Sequence, residues 1–255
     1  MPTSAVDPTV DAAIDVAPDG APDVPVVMDV GADGAPDLPV VMDVAADGGP
    51  DRPPDVGMDV PVVDAQPDSQ PPPLTVVLSA GTSTAIRGNT GTDTTVYQDA
   101  CPNNAALIGF HVGTNSSQNQ GIEVVSQLQA VCGSLKVSAD RTTVQVTPGS
   151  ALFLRGSVAG PLNDMLCPPD QVVIGFDGHS FQLLDQLAVR CASVSLNGTT
   201  VSIGIPTTLP PAGGTGGTAF ARTDCPAGQV AVATNIGVSN LISAFGLICA
   251  TVGVH

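Results

Sequence analysis

The chain has 255 residues and a formal net charge of −17, with 24 acidic against seven basic side chains, no tryptophan and 3% aromatics. So acidic a chain, with no cluster of Lys and Arg, excludes the phosphate neutralisation on which nucleic-acid binding depends. No apolar run approaches the roughly 18 residues of a membrane-spanning helix.

The charge is concentrated at the N-terminus. Residues 1–73 carry 15 aspartates and a single base, Arg52, whereas residues 74–255 are close to neutral, with nine acids and six bases. The segment beginning Asp19-Gly-Ala-Pro-Asp23 recurs with a period of 14 from Asp33, with Leu38 in the place of Val24. Proline, aspartate and small residues cannot bury enough apolar surface to offset their ordering entropy. Residues 1–73 therefore read as a disordered linker or stalk. Fragments such as Asp29 to Gly34 lack the alternating ligands and bidentate glutamate of a calcium loop. Met1 to Asp7 shows neither a basic nor an apolar signal region. The expectation is that an export or lipoprotein signal lies upstream.

From residue 74 the composition changes and three related units follow. The first runs from Cys101-Pro-Asn-Asn through Ile108-Gly-Phe110 to Cys132. The second runs from Cys167-Pro-Pro-Asp through Ile174-Gly-Phe176 to Cys191, and the third from Cys225-Pro-Ala-Gly to Cys249. Apolar residues alternate on both sides of each unit (Val172, Ile174 and Phe176 out, Leu187 and Val189 back), which is the period of a strand. Each unit reads as a hairpin. Both cysteines of the second unit lie 12 residues from His179, and those of the third lie 12 from Gly237. Turns at those centres predict the pairs Cys101–Cys132, Cys167–Cys191 and Cys225–Cys249, one of 15 possible sets. Disulfides imply an oxidising compartment, and no CxxC or nearby histidine supports zinc.

A further short strand follows each closing cysteine (Leu135–Val137, Val194–Leu196, Val252–Val254), and the first two lead through turns into a fourth strand. After the third unit the chain ends. Leu74–Leu78 supplies what that unit lacks: Val77 precedes Cys101 by 24 residues, as Val201 precedes Cys225. The two ends of residues 74–255 are therefore expected to pair and close a ring of three four-stranded antiparallel sheets around an apolar axis, an all-β domain without exposed sheet edges.

Cys-Pro openings, a Gly-Phe strand and a closing Leu-x-x-x-Cys strand resemble those of the vitelline membrane outer layer protein family. The resemblance covers 74–255 and implies a β-prism. Leu184-Asp-Gln-Leu-Ala-Val189 is also similar to the sugar-site strand of jacalin-related lectins, whose Gly-x-x-x-Asp loop presents amides and a carboxylate to sugar hydroxyls. Asp185 takes the aspartate position, with Phe181 where the glycine would stand. Asp185, Gln182, His179 and Phe181 are accordingly the candidate ligand-binding residues at a hairpin tip.

Each has a plain structural reading as well. Asp185 corresponds to Ser126 and Ser243 in the other units, and all three could brace a turn. Phe181 could be core, while His179 and Asn115 to Gln120 could be solvated loop. Gly160 to Asp164 reads as a turn. Gly81-Thr-Ser83 is a poor echo of a nucleophile elbow, and no phosphate loop, dinucleotide fingerprint or HExxH motif is present. The sequence thus favours a non-enzymatic, extracytoplasmic module, without metal or cofactor, that binds cell-surface or matrix glycans. The alternative is a structural or adhesive coat protein with no small-molecule site.

Overall fold

A computed structural model describes residues 72–79, 81–116, 121–157 and 160–255. The Asp/Pro-rich repeats, the Asp29 to Gly34 fragment and residues 117–120 of the first hairpin tip lie outside the described residues. In chain order, β1 (Val76–Leu78), β2 (Thr82–Ser83), β3 (Arg87–Gly88) and β4 (Thr95–Ala100) precede the hairpin β5 (Ala105–Asn115) and β6 (Val124–Val137). The succession recurs as β7 (Val144–Gly156), β8 (Asn163–Leu166), β9 (Gln171–Ser180) and β10 (Leu184–Asn197). It recurs again as β11 (Thr200–Ile203), β12 (Thr207–Thr208), β13 (Ala212–Gly213), β14 (Thr218–Asp224), β15 (Gln229–Val238) and β16 (Ile242–Val254).

Each hairpin is completed by strands of the next repeat. β5 and β6 lie between β8 and β7, and β9 and β10 lie between β14 and the broken strand β11–β13. β15 and β16 lie between β4 and the broken strand β1–β3. The ring is closed as expected: Val76 pairs with Val254 and Leu78 with Val252, and Thr75 and His255 exchange backbone hydrogen bonds of 2.8 and 3.1 Å. The result is a β-prism of three sheets, each with four strand positions, two of the outer positions being broken into short pieces.

Two parts of the strand assignment are corrected. The segments after the closing cysteines are not separate strands, because β6, β10 and β16 run straight through Cys132, Cys191 and Cys249. The fourth position is filled instead by β4, β8 and β14, just ahead of each Cys-Pro. Asn163 and Asp164, read as part of a turn, belong to β8, where they pair with Val112 and His111.

The Cys-Pro motif has a backbone reason. Asn104, Asp170 and Gly228, three residues after each opening cysteine, all adopt positive φ (59°, 58° and 76°). Asn, Asp and Gly are the residues that tolerate this region most readily. The turn then closes by a bond from the next amide to the proline carbonyl, 3.0–3.1 Å in each repeat.

The three expected disulfides are present, but they do not close the mouths of hairpins. Cys101, Cys167 and Cys225 prolong the outer strands β4, β8 and β14, and their amides bond to Val232, Ile108 and Ile174 of the neighbouring hairpin. Each disulfide therefore ties one sheet to the next, and together they go once round the prism. Further fasteners lie at two of the same junctions: Arg155 reaches from β7 to Asp99 of β4 with a bond of 2.8 Å from Nε, and Arg87 donates to Thr223 at 3.0 Å.

The core fills the axis in two groups. One gathers the half-cystines of β6, β10 and β16 around Phe110, Phe176 and Phe245; Phe245 meets the other two rings edge to face at 5.4 and 4.8 Å. The other is dominated by valines and includes the seam residues Val76, Val252 and Val254. The simple alternation expected for the outgoing strands does not hold: Val172, Val173 and Ile174 are all buried. A bulge between Arg190 and Cys191 shifts the register there.

Replacing Cys167 and Cys191 together by alanine should lower the unfolding free energy by about 3–4 kcal/mol, the chain-entropy value for a loop of this size. Urea unfolding measures it, and a loss below about 1 kcal/mol would mean that the bridge does not tie the sheets in solution.

Candidate functional site

The three hairpin tips are built alike. Each return strand carries one unpaired extra residue where the register slips: Ser126 between Gln127 and Val125, Asp185 between Leu184 and Gln186, and Ser243 between Ala244 and Ile242. A bulge turns its extra residue out of the ladder, and here all three are buried, Asp185 at 2% exposure. The correspondence of Asp185 with the two serines is thus geometric. A glycine with positive φ sits over the carbonyl of each: Gly156 over Ser126, Gly213 over Asp185 and Gly88 over Ser243. A Cβ at these glycines would lie 2.1–2.3 Å from the carbonyl oxygen.

The turns lie further along the chain than the cysteine spacing predicts. His179 and Gly237 are not at the tips but within strands, opposite Gln186 and Ala244. The second tip is Phe181-Gln182-Leu183, closed by the Phe181 amide on the Leu183 carbonyl at 3.0 Å. Cysteine spacing misplaced the centre because the opening cysteine stands outside its hairpin, ahead of the Cys-Pro turn.

Chemically the three positions differ. Ser243 shares a hydrogen bond with Thr94 (3.2 Å). At Asp185, Oδ2 is buried with no partner. The loop Gly213-Gly-Thr-Gly-Gly217 lies against this carboxylate, and a Cβ on Gly217 would come within 2.5 Å of Oδ2. The Gly214 amide bonds to the carbonyls of both Asp185 (2.9 Å) and Glu123 (3.0 Å). Burial pushes the Asp185 carboxyl above its ordinary range, against the opposing pull of the Phe181 amide, the nearby His179 and its own amide.

Asp185 forms part of the wall of a cleft of about 640 Å³, lined also by Phe181, Gln182, Asn89, Asp93 and Thr94. Three of the four expected site residues therefore come together. His179 does not line the cleft; it lies on β9, with a buried and unpartnered Nδ1. Phe181 is not core but 73% exposed at the rim. Two parts escaped the sequence reading, the Asn89–Thr94 loop and the glycine-rich loop after β13. The run of four glycines in five residues was the available signal for the second. Among the described residues no group of three His, Cys, Asp or Glu side chains could hold a metal.

No protein-family model matches the chain, and no curated protein matches it; the likeness to the vitelline membrane outer layer protein family rests on the repeat motifs. Among solved structures it is similar to Malaysian banana lectin, at 11% identity over 66% of this chain and 97% of that one, with a TM-score of 0.42. It is similar to a mannose-binding jacalin-related lectin from Ananas comosus (17% identity, 67% and 98% covered, TM-score 0.42). It is similar also to artocarpin in complex with mannotriose (11% identity, 67% and 98% covered, TM-score 0.43). These are likenesses of strand arrangement.

A carboxyl whose pKa is raised on folding holds its proton where the unfolded chain has released it. Stability should therefore fall as pH rises from the ordinary carboxylate value through the raised one. Asp185→Asn should remove that part of the fall. Thermal melts across this range check it, and an unchanged pH slope in the variant would contradict it.

Proposed function

We propose that the domain is a non-catalytic glycan-binding module whose site is the cleft beside the second hairpin tip. The observation that carries this reading is a polar cleft that has Asp185 in its wall and an exposed aromatic, Phe181, at its rim. A carboxylate accepts hydrogen bonds from adjacent hydroxyls. Phe181 offers a flat apolar face for the C–H side of a pyranose, and the Gln182 amide both donates and accepts. The glycines at 216 and 217 leave no side chain between Asp185 and the 213–217 backbone. His179 stands outside the cleft wall, on β9 opposite Gln186.

The setting follows from the same features. Three disulfides suit an oxidising, extracytoplasmic location, and no helix among the described residues is long and apolar enough to cross a membrane. Residues 1–73, rich in Pro and Asp, suit a spacer that holds residues 74–255 away from a surface.

A second reading has an observation in its favour. Ser126 and Ser243 occupy the same buried bulge without a carboxylate, so the position can serve as a structural brace in a coat or adhesive protein with no small-molecule site. Glycan-array binding by the full chain, compared with Asp185→Ala and Phe181→Ala, separates the two. The binding module requires a bound glycan and a loss of about tenfold or more for Asp185→Ala, the size of one charge-assisted hydrogen bond. No bound glycan, or binding indifferent to both changes, would leave the structural brace.

A further inference from the structure

The junctions between sheets can be compared position by position. At two of them an arginine crosses from an outer strand to the residue two places before an opening cysteine, Arg155 to Asp99 and Arg87 to Thr223. The two straps differ in their flanks. Two places before Arg87 and Thr223 stand Ala85 and Ala221, whereas two places before Arg155 and Asp99 stand Phe153 and Tyr97. The rings of Phe153 and Tyr97 lie with their centroids 5.3 and 4.2 Å from the guanidinium. Yet Phe153 is 72% exposed and Tyr97 37%. Two of the three exposed aromatics among the described residues thus meet at one junction, and the other strapped junction has alanine in both places. Asp99 is buried and takes two of the arginine's donors, at 2.8 and 2.5 Å, which fixes the guanidinium beside both rings.

Exposed aromatic surfaces held in place are what proline-rich chains dock on, since such chains are extended beforehand and lose little freedom on binding. This chain carries suitable segments itself. Pro22-Asp-Val-Pro25, Pro36-Asp-Leu-Pro39 and Pro50-Asp-Arg-Pro53 recur at its 14-residue period. Prolines three apart share one face of a polyproline II helix, which has three residues per turn. The aspartate after the first proline brings a carboxylate to the guanidinium donors that Asp99 does not occupy. We propose that the plate of Tyr97, Arg155 and Phe153 binds the Pro-Asp-x-Pro segments of a second copy of this chain. The Asp/Pro-rich segment of one molecule is then held by the folded domain of its neighbour. Three segments in each chain make the contact multivalent where many copies stand together. The glycan site plays no part in it.

Sedimentation of the full chain at concentrations up to about 1 mM tests this, at physiological ionic strength so that repulsion between the acidic chains is screened. The wild type should self-associate, and the free peptide of residues 33–44 should dissociate it. Phe153→Ala, at an exposed position, should weaken association at least about fivefold. Replacing the six prolines of the three segments by alanine should do the same. Ile205→Ala removes another exposed apolar side chain and should leave association unchanged. A monomer at every concentration would overturn the proposal. So would association that survives Phe153→Ala or is untouched by the peptide. Association that falls with Phe153→Ala but ignores the proline changes would overturn it too, since the plates would then meet face to face. A glycan that binds a monomeric chain and is lost in Phe153→Ala would assign the plate to saccharides instead.

Discussion

The pairing of β1 with the end of β16 is the contact on which the rest depends. The hairpins β5–β6 and β9–β10 take their outer strands from the repeat that follows, whereas β15–β16 take theirs from β1 to β4 at the start of the domain. The segment before the first hairpin pairs with the end of β16 in register from Val76 to Leu78. Without it the sheet of β15 and β16 would lose its outer strand, and Val252 and Val254 would lose the neighbour that buries them. The inter-sheet disulfides add a covalent circuit with the same topology, so that hydrogen bonds and bridges both run once round the axis.

Closure also explains how a sheet fold with so few aromatics forms a core. Three phenylalanines meet at the axis, one from each hairpin, and valine fills much of the remainder. Because the tip of β9–β10 and Ser239 beside the tip of β15–β16 line one cleft, loops far apart in sequence are brought side by side. The cleft arises from this, with Asn89–Thr94 and Phe181–Asp185 belonging to different sheets yet sharing one space. The scaffold is close to threefold, and the chemistry departs from it at one bulge. There a carboxylate stands where the other two repeats have serine.

Much of this was legible in the residues. Cys-Pro repeats with constant spacing disclosed three hairpins, the correct bridges and the orphaned last strand, because disulfides and turns impose fixed distances on sequence. The bulges were not legible: an extra residue shifts the register without altering composition or alternation enough to notice. His179 and Gly237 read as turn centres for a different reason: each opening cysteine stands outside its hairpin, so the midpoint between the cysteines falls short of the tip. Phe181 could not be placed either, since a phenylalanine next to a strand has the same sequence whether it faces the core or solvent. Asp93 could not have been connected to Asp185, because nothing local to either records the closure that makes them neighbours.

Amide hydrogen exchange at the seam tests the closed ring most directly. The amides of Thr75 and His255, each bonded to the other's carbonyl, are bound only if the two ends pair. Native-state exchange should show them opening with a free energy close to that of the hairpin cores β9–β10, as part of one cooperative unit. Exchange at nearly unprotected rates, with the remaining strands still protected, would mean that the ends fray and that the prism does not depend on its own closure.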